Sequence, residues 1–257
     1  MADLEIVGFW PKSLTDWPGK PSAVVLVPGC NFRCGYCYSG AIVTAPQALP
    51  RIPEKEILQT LLKKNDSIRG IVVTGGEPTL HGARLNHFLS ACQEMGYLTR
   101  IETNGSNPFA LRSLIQDELL DSLVLDLKAP LYPEKYFEAT QKKGVLSKIK
   151  TAIALTQRSG IDIEYRIVVV PGVHSFRDVF SLAKNLKNAK RVVLQQFSPA
   201  NGTLNAEFSQ KTKTEYDYLL ALAQGIERLH LGIREIKIKT DKGEETVNTV
   251  HPPQTLR

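Results

Sequence analysis

The stretch SAVVLVPGCNFRCGYC, residues 22–37, is apolar at successive positions and then opens into a loop holding three cysteines. A strand with one wet face would alternate apolar and polar side chains, so an unbroken run such as Ala23–Val27 fits a strand buried on both faces of a parallel sheet. Reading outward, the same kind of run returns at 68–76, 98–105, 122–130, 162–172, 191–199 and 234–240. Segments with three- and four-residue apolar spacing lie between, at 53–64, 82–96, 108–119, 146–159, 175–187 and 209–230. In 82–96, Leu85, Phe88, Leu89, Cys92 and Met95 share one helical face and Gly96 suits a C-cap. Strands and helices in turn make repeated βα units. The fold class is therefore α/β with a parallel sheet, which either curls into a full or partial barrel or lies flat and doubly wound.

Composition narrows the possibilities. The 257 residues are 42% hydrophobic, enough for a sizeable core in one large domain or two small ones. No proline-rich linker or low-complexity tract divides them. Residues 1–240 are expected to form a single core domain, with 1–20 as a leader and turn and 241–257 as a loosely held tail. The formal charge of +6 is too mild to call for nucleic acid. Four cysteines, three of them within eight residues, exclude a disulfide-stapled secreted scaffold. The start lacks a basic-then-apolar leader, and no apolar run approaches the roughly eighteen residues that span a bilayer, so the expectation is a soluble cytoplasmic protein.

In either sheet arrangement ligands gather at the C-terminal ends of the strands, and there this chain carries GCNFRCGYC, TGGEP, ETNG, DLK and VVPG. Cys30, Cys34 and Cys37, spaced C-x3-C-x2-C, can converge on one soft-metal centre. A structural zinc site wants four ligands, and Cys92 reads as a small buried hydrophobe. Three thiolates suit instead a [4Fe–4S] cluster with one open iron. Gly75, Gly76, Glu77 and Pro78 offer close backbone approach and a carboxylate that can accept from an ammonium. Glu102, Thr103 and Asn104 end the next run, followed by Asp126 and Lys128, then Arg166, then Gln195 and Gln196. Unpaired polar groups at buried strand ends cost about 1–3 kcal/mol each, so partners are expected. Mutual pairing of Asp126 with Lys128 or Arg166 is one solution, and a bound ligand is the other.

C-x3-C-x-aromatic-C, with Tyr36 as the aromatic, resembles the signature of radical S-adenosylmethionine (SAM) enzymes. The resemblance implies a partial (β/α)6-type barrel, here extended by a C-terminal strand, and a [4Fe–4S] cluster held by Cys30, Cys34 and Cys37. It further implies that the open iron binds SAM and that one electron splits SAM into methionine and a 5′-deoxyadenosyl radical. Tyr36 would flank the adenine, and the Gly75–Pro78 element would hold the SAM amino group. Lys128 and Arg166 would balance its carboxylate. Glu102 or Asp126 would hold ribose hydroxyls or a monovalent cation, and Gln195 and Gln196 are the best remaining candidates to reach adenine or ribose, with Thr103 and Asn104 beside them.

The match runs through most of the chain and is similar to the activating proteins of anaerobic ribonucleoside-triphosphate reductase, on SLTDWPGK (13–20), TGGEPTL, TNGSNP, DLKAPL and LQQFSP. The implied function is the generation of a glycyl radical on a partner enzyme, with flavodoxin or ferredoxin as electron donor and no membrane involved. Tyr38 and Ser39 depart from the His-Asn common in those activases. Two alternatives stand beside it: a radical SAM enzyme acting on a small molecule, resembling 7-carboxy-7-deazaguanine synthases, and a structural zinc protein that binds RNA.

Overall fold

In a computed structural model, which describes residues 2–63, 67–200 and 202–247, each of the seven apolar runs is a strand. The sheet starts with β1 (Gly8–Ser13), antiparallel to β2 (Ser22–Val27). Then come α1 (Gly40–Thr44), α2 (Glu54–Lys63), β3 (Gly70–Gly75), α3 (Ala83–Glu94), β4 (Leu98–Thr103), α4 (Pro108–Gln116) and β5 (Ser122–Asp126). The chain continues through α5 (Pro133–Thr140), α6 (Leu146–Thr156), β6 (Asp162–Val169), α7 (Phe176–Ala183), β7 (Arg191–Gln196), α8 (Ala206–Ser209), α9 (Tyr216–Arg228) and β8 (Glu235–Thr240). It closes on β9 (Gly243–Thr246), antiparallel to β8.

The strand order is β1 to β9 without a break, and β2 to β8 are parallel. A doubly wound sheet needs the order to reverse so that helices cover both faces. Right-handed crossovers that never reverse put every helix on one face, and the sheet then curls with the helices outside, as in a barrel. The rim-to-rim contact agrees: Lys239 Nζ of β8 donates to the Thr15 carbonyl, just past β1, at 3.4 Å. The barrel is partial, since β1 and β9 do not pair.

The continuous apolar runs follow from this geometry. In β3, Ile71 and Val73 pack outward in the main core with Leu85, Phe88 and Leu89 of α3. Val72 points the other way, into a smaller cluster with Val24 and Trp17. Trp17, the anchor of the leader turn, is buried at the foot of the barrel beside Arg100, whose guanidinium lies 5.7 Å from the indole ring. Arg100 also holds Glu164 at 2.7 Å, both side chains 2% exposed. Among the described residues no helix is long and apolar enough to cross a membrane.

Three expectations need correction. The leader contains an edge strand as well as a turn, because β1 finds backbone partners on β2. The tail begins with β9; its residues 248–257 lie outside the described residues. The helix expected over 209–230 starts only at Tyr216, because Thr214 is pinned in the preceding loop: its N–H donates to the Phe197 carbonyl and its hydroxyl to the Val169 carbonyl.

Candidate functional site

A cavity of about 630 Å³ opens at the C-terminal ends of the parallel strands, and Cys30, Cys34 and Cys37 all line it. The loop that carries them is clamped on several sides. Gly76 N–H donates to the Val27 carbonyl and Glu77 N–H to the Gly29 carbonyl, so the end of β3 grips the base of the loop. Asn31 donates to Ser106 Oγ at 2.8 Å and accepts from Asn104 at 3.0 Å, which ties the loop to the end of β4. Arg33 N–H donates to the Thr140 carbonyl at the end of α5.

The sulfurs suit a soft metal centre. Phe32 N–H and Asn104 Nδ2 approach Cys30 Sγ at 3.4 and 3.8 Å, the kind of donors that steady a thiolate. Burial pushes the Cys30 thiol up to about 11 and the Cys34 thiol up to about 12, so metal binding there would release protons. Among the described residues no three His, Cys, Asp or Glu side chains gather as a single metal ion would require. All three thiols line the same cavity. Cys92 lies in the main core, as its helical stripe suggests.

Opposite the cysteines stands a charged network. Arg166 bonds Glu102 through both Nη atoms, at 2.9 and 2.8 Å, and Asp126 through Nε at 2.6 Å. Lys128 Nζ sits 3.4 Å from Asp126, and Thr74 Oγ1 donates to Glu102 at 3.0 Å. Burial alone would raise the Asp126 carboxyl; the charges of Arg166 and Lys128 overcome it and hold the group well below its ordinary value. Glu102 is likewise lowered, by Arg166 against burial. Burial would lower Lys128, but Asp126 outweighs it and keeps the ammonium raised. Mutual pairing is therefore the solution the strand-end charges adopt, and the paired groups also face the cavity.

Glu77 is more deeply engaged than a free acceptor. Its Oε1 accepts from Thr79 N–H, Thr79 Oγ1 and Thr103 Oγ1, and its Oε2 accepts from Asn104 N–H at 2.7 Å. Burial lifts its carboxyl, and these four donors draw it back. Glu77 thus joins the ends of β3 and β4, with one lone-pair direction on Oε2 left. Gly75, Gly76, Thr103 and Asn104 line the cavity; Pro78, buried at the start of a 3-10 turn, lies outside its lining.

Tyr36 also faces the cavity. Its ring meets His174 and Phe208 edge-on, at 6.2 and 6.0 Å between centroids. A lone histidine carries no pattern and reads by default as solvated or capping, but His174 is buried. Its Nδ1 accepts from Val170 N–H and its Nε2 donates to the Lys128 carbonyl, a neutral ring that burial favours. Gln196 is a correction: it turns away and donates to the Thr214 carbonyl, while Gln195, paired with the cavity residue Val168, lines the cavity. Side chains alternate along a strand, so one residue decides the face. Tyr38 and Ser39 line the mouth, as do Trp10, Lys12, Ser13 and Asp16 from β1 and its turn.

A family model for the radical SAM superfamily matches residues 24–193. The chain belongs to the radical SAM superfamily. Membership implies a [4Fe–4S] cluster and SAM. This radical SAM enzyme is 29% identical over 198 residues to a protein of Methanocaldococcus jannaschii provisionally named a glycyl-radical enzyme activating enzyme, covering 76% of this chain and 80% of that one. A 7-carboxy-7-deazaguanine synthase of Methanopyrus kandleri is 28% identical over 217 residues, covering 69% and 84%. Among solved structures, Streptococcus suis SuiB bound to S-adenosylmethionine superposes with a TM-score of 0.63 at 19% identity, over 85% of this radical SAM chain and 49% of SuiB, so the chain spans about half of that protein.

Proposed function

We propose that the chain cleaves SAM reductively and generates a glycyl radical on a partner enzyme, an anaerobic ribonucleotide reductase. The observation that carries this reading is the convergence of three cysteines, Tyr36 and the Glu102–Arg166–Asp126–Lys128 network on one cavity. In this reading Cys30, Cys34 and Cys37 hold the cluster and leave its fourth iron for the amino and carboxylate groups of SAM. When bound, the cluster and SAM would supply the chemistry, one-electron reductive cleavage of SAM and removal of the glycine Cα hydrogen.

The chain's own residues bind, orient and exclude water. Arg166 already directs most of its donors at Glu102 and Asp126, so Lys128 is the better match for the SAM carboxylate. The Arg166 guanidinium stands between Glu102 and Asp126 and bonds both. Oε2 of Glu77 accepts from the SAM amino group, and Tyr36 and Gln195 bound the adenosine. The name of the Methanocaldococcus relative supports activation. The Methanopyrus relative supports a second reading, action on a small molecule.

Anaerobic incubation of cluster-loaded protein with SAM, dithionite and an anaerobic ribonucleotide reductase tests the proposal. The expected result is 5′-deoxyadenosine together with a glycine-centred doublet in the electron spin resonance spectrum. 5′-Deoxyadenosine without a doublet on any glycyl radical enzyme would end the activation reading. Turnover of the substrate of 7-carboxy-7-deazaguanine synthase would establish the second one.

A further inference from the structure

β5 ends at Asp126, so the peptide of Lys128 lies beyond the last rung of the sheet ladder. The final bond to β6 runs from Leu127 N–H to the Arg166 carbonyl. Leu127 and Ala129 on either side are buried, and a peptide in such a stretch that the sheet no longer serves must find other partners. Lys128 finds them on side chains of three separate segments. Its N–H donates to the Tyr136 hydroxyl of α5 at 3.5 Å. Its carbonyl accepts from the Tyr36 hydroxyl of the cysteine loop at 3.4 Å and, most closely, from His174 Nε2 at 2.9 Å.

His174 is itself held on several sides. The Val170 N–H can only donate, so Nδ1 is the acceptor of that bond and Nε2 carries the ring proton. The His174 carbonyl accepts from the Tyr218 hydroxyl of α9 at 3.0 Å, and its N–H donates to the Val170 carbonyl. Nε2–H is thus a donor of fixed place and fixed tautomer, aimed at the Lys128 carbonyl. The Lys128 side chain, by contrast, has capacity to spare. Its ammonium carries three donors, lines the cavity, and among the described residues pairs with one carboxylate, Asp126, at 3.4 Å. A compact charge on a long flexible stem is only as well placed as the peptide beneath it.

We infer that His174 is a positioning residue for SAM: through the Lys128 carbonyl it fixes the ammonium that meets the SAM carboxylate. The inference rests on the reading that Lys128 is the partner of that carboxylate. A histidine serving the fold alone would need only Nδ1 and its own backbone, which already tie the loop after β6 to itself and to α9. The bond from Nε2 crosses instead to the loop that follows β5. A group held in place before its ligand arrives loses less freedom on binding, so the clamp on Lys128 strengthens the hold on SAM without touching it.

Equilibrium dialysis of SAM against cluster-loaded protein tests this, with oxygen and reductant excluded so that SAM stays whole, and with bound SAM counted per cluster. H174N keeps an acceptor near the place of Nδ1 for the Val170 N–H but is too short to reach the Lys128 carbonyl, whereas H174Q puts an amide donor near the place of Nε2. H174N is expected to bind SAM about tenfold more weakly than the wild type, and H174Q within about threefold of it. K128M should itself lose about tenfold, and H174N/K128M should bind no more weakly than K128M, because a positioning residue then has nothing left to position. Wild-type affinity in H174N beside a weakened K128M, or a further loss of about tenfold in H174N/K128M, would overturn the positioning role. Wild-type affinity in K128M would instead overturn the assignment of Lys128 to the SAM carboxylate.

Discussion

Gly76 passes so close to Gly29 that a β-carbon on Gly76 would stand 1.9 Å from the Gly29 carbonyl oxygen. That atom is backbone and has nowhere to yield, since Glu77 N–H donates to it. The glycine therefore serves first to seat the cysteine loop on β3. Gly76→Ala should destabilise the protein by about 3 kcal/mol or more, the upper range of overpacking. It should also lower cluster content, and urea unfolding with iron analysis on the same sample would check both.

The thiols divide into two kinds. Cys30, Cys34 and Cys37 face the cavity, whereas Cys92 is fully buried in the core. Alanine at any of the first three should cut the iron retained after anaerobic reconstitution and abolish SAM cleavage. Cys92→Ala should keep its iron and lose about 1–2 kcal/mol of stability to the cavity it leaves. Equal iron in Cys34→Ala and wild type would contradict the ligand assignment.

Arg166 neutralises two carboxylates in one place. Arg166→Met leaves Glu102 and Asp126 facing each other and should cost about 3–5 kcal/mol at pH 7. Both carboxyls sit below their ordinary values of 4.5 and 3.8 in the folded protein. Their stabilisation is therefore complete above those values and fades as pH falls through the folded ones. The gap between variant and wild type should narrow below about pH 4, which chemical denaturation at stepped pH would reveal.

Trp17 closes the foot of the barrel against Val24, Val72 and Arg100. Trp17→Ala should destabilise by about 3–5 kcal/mol, read by thermal or urea unfolding. A change below 1 kcal/mol would mean that the leader turn is not part of the folded core.

The parallel strands were legible because a sheet covered on both faces demands unbroken apolar runs, and the rim was legible because Cys30, Glu77, Glu102 and Asp126 interrupt those runs at or just past their ends, while Arg166 inside β6 stands opposite Asp126. β1 and β9 escaped because GFWPKS and GEET pair along one edge only and carry no apolar period. Gln195 and Gln196 both stand as candidates in the sequence because a dipeptide does not state its own phase. Pairing with β6 does: Val168 faces the cavity and stands opposite Gln195. Glu77 was visible as a carboxylate in a turn, but its four donors come from Thr79, Thr103 and Asn104, contacts made only when β3 and β4 lie side by side.

The two rims of the sheet carry a further consequence. Pro11 gives β1 a position with no N–H, and on β9 the exposed Glu245 adds negative charge while Glu244 is held by Lys237 at 2.9 Å. Neither border can readily recruit a foreign strand, so the sheet resists growing end to end into fibres. A macromolecule that reaches this barrel must engage its mouth or flanks through side chains, a mode of association that leaves the backbone ladder undisturbed and can be reversed once each turnover is complete.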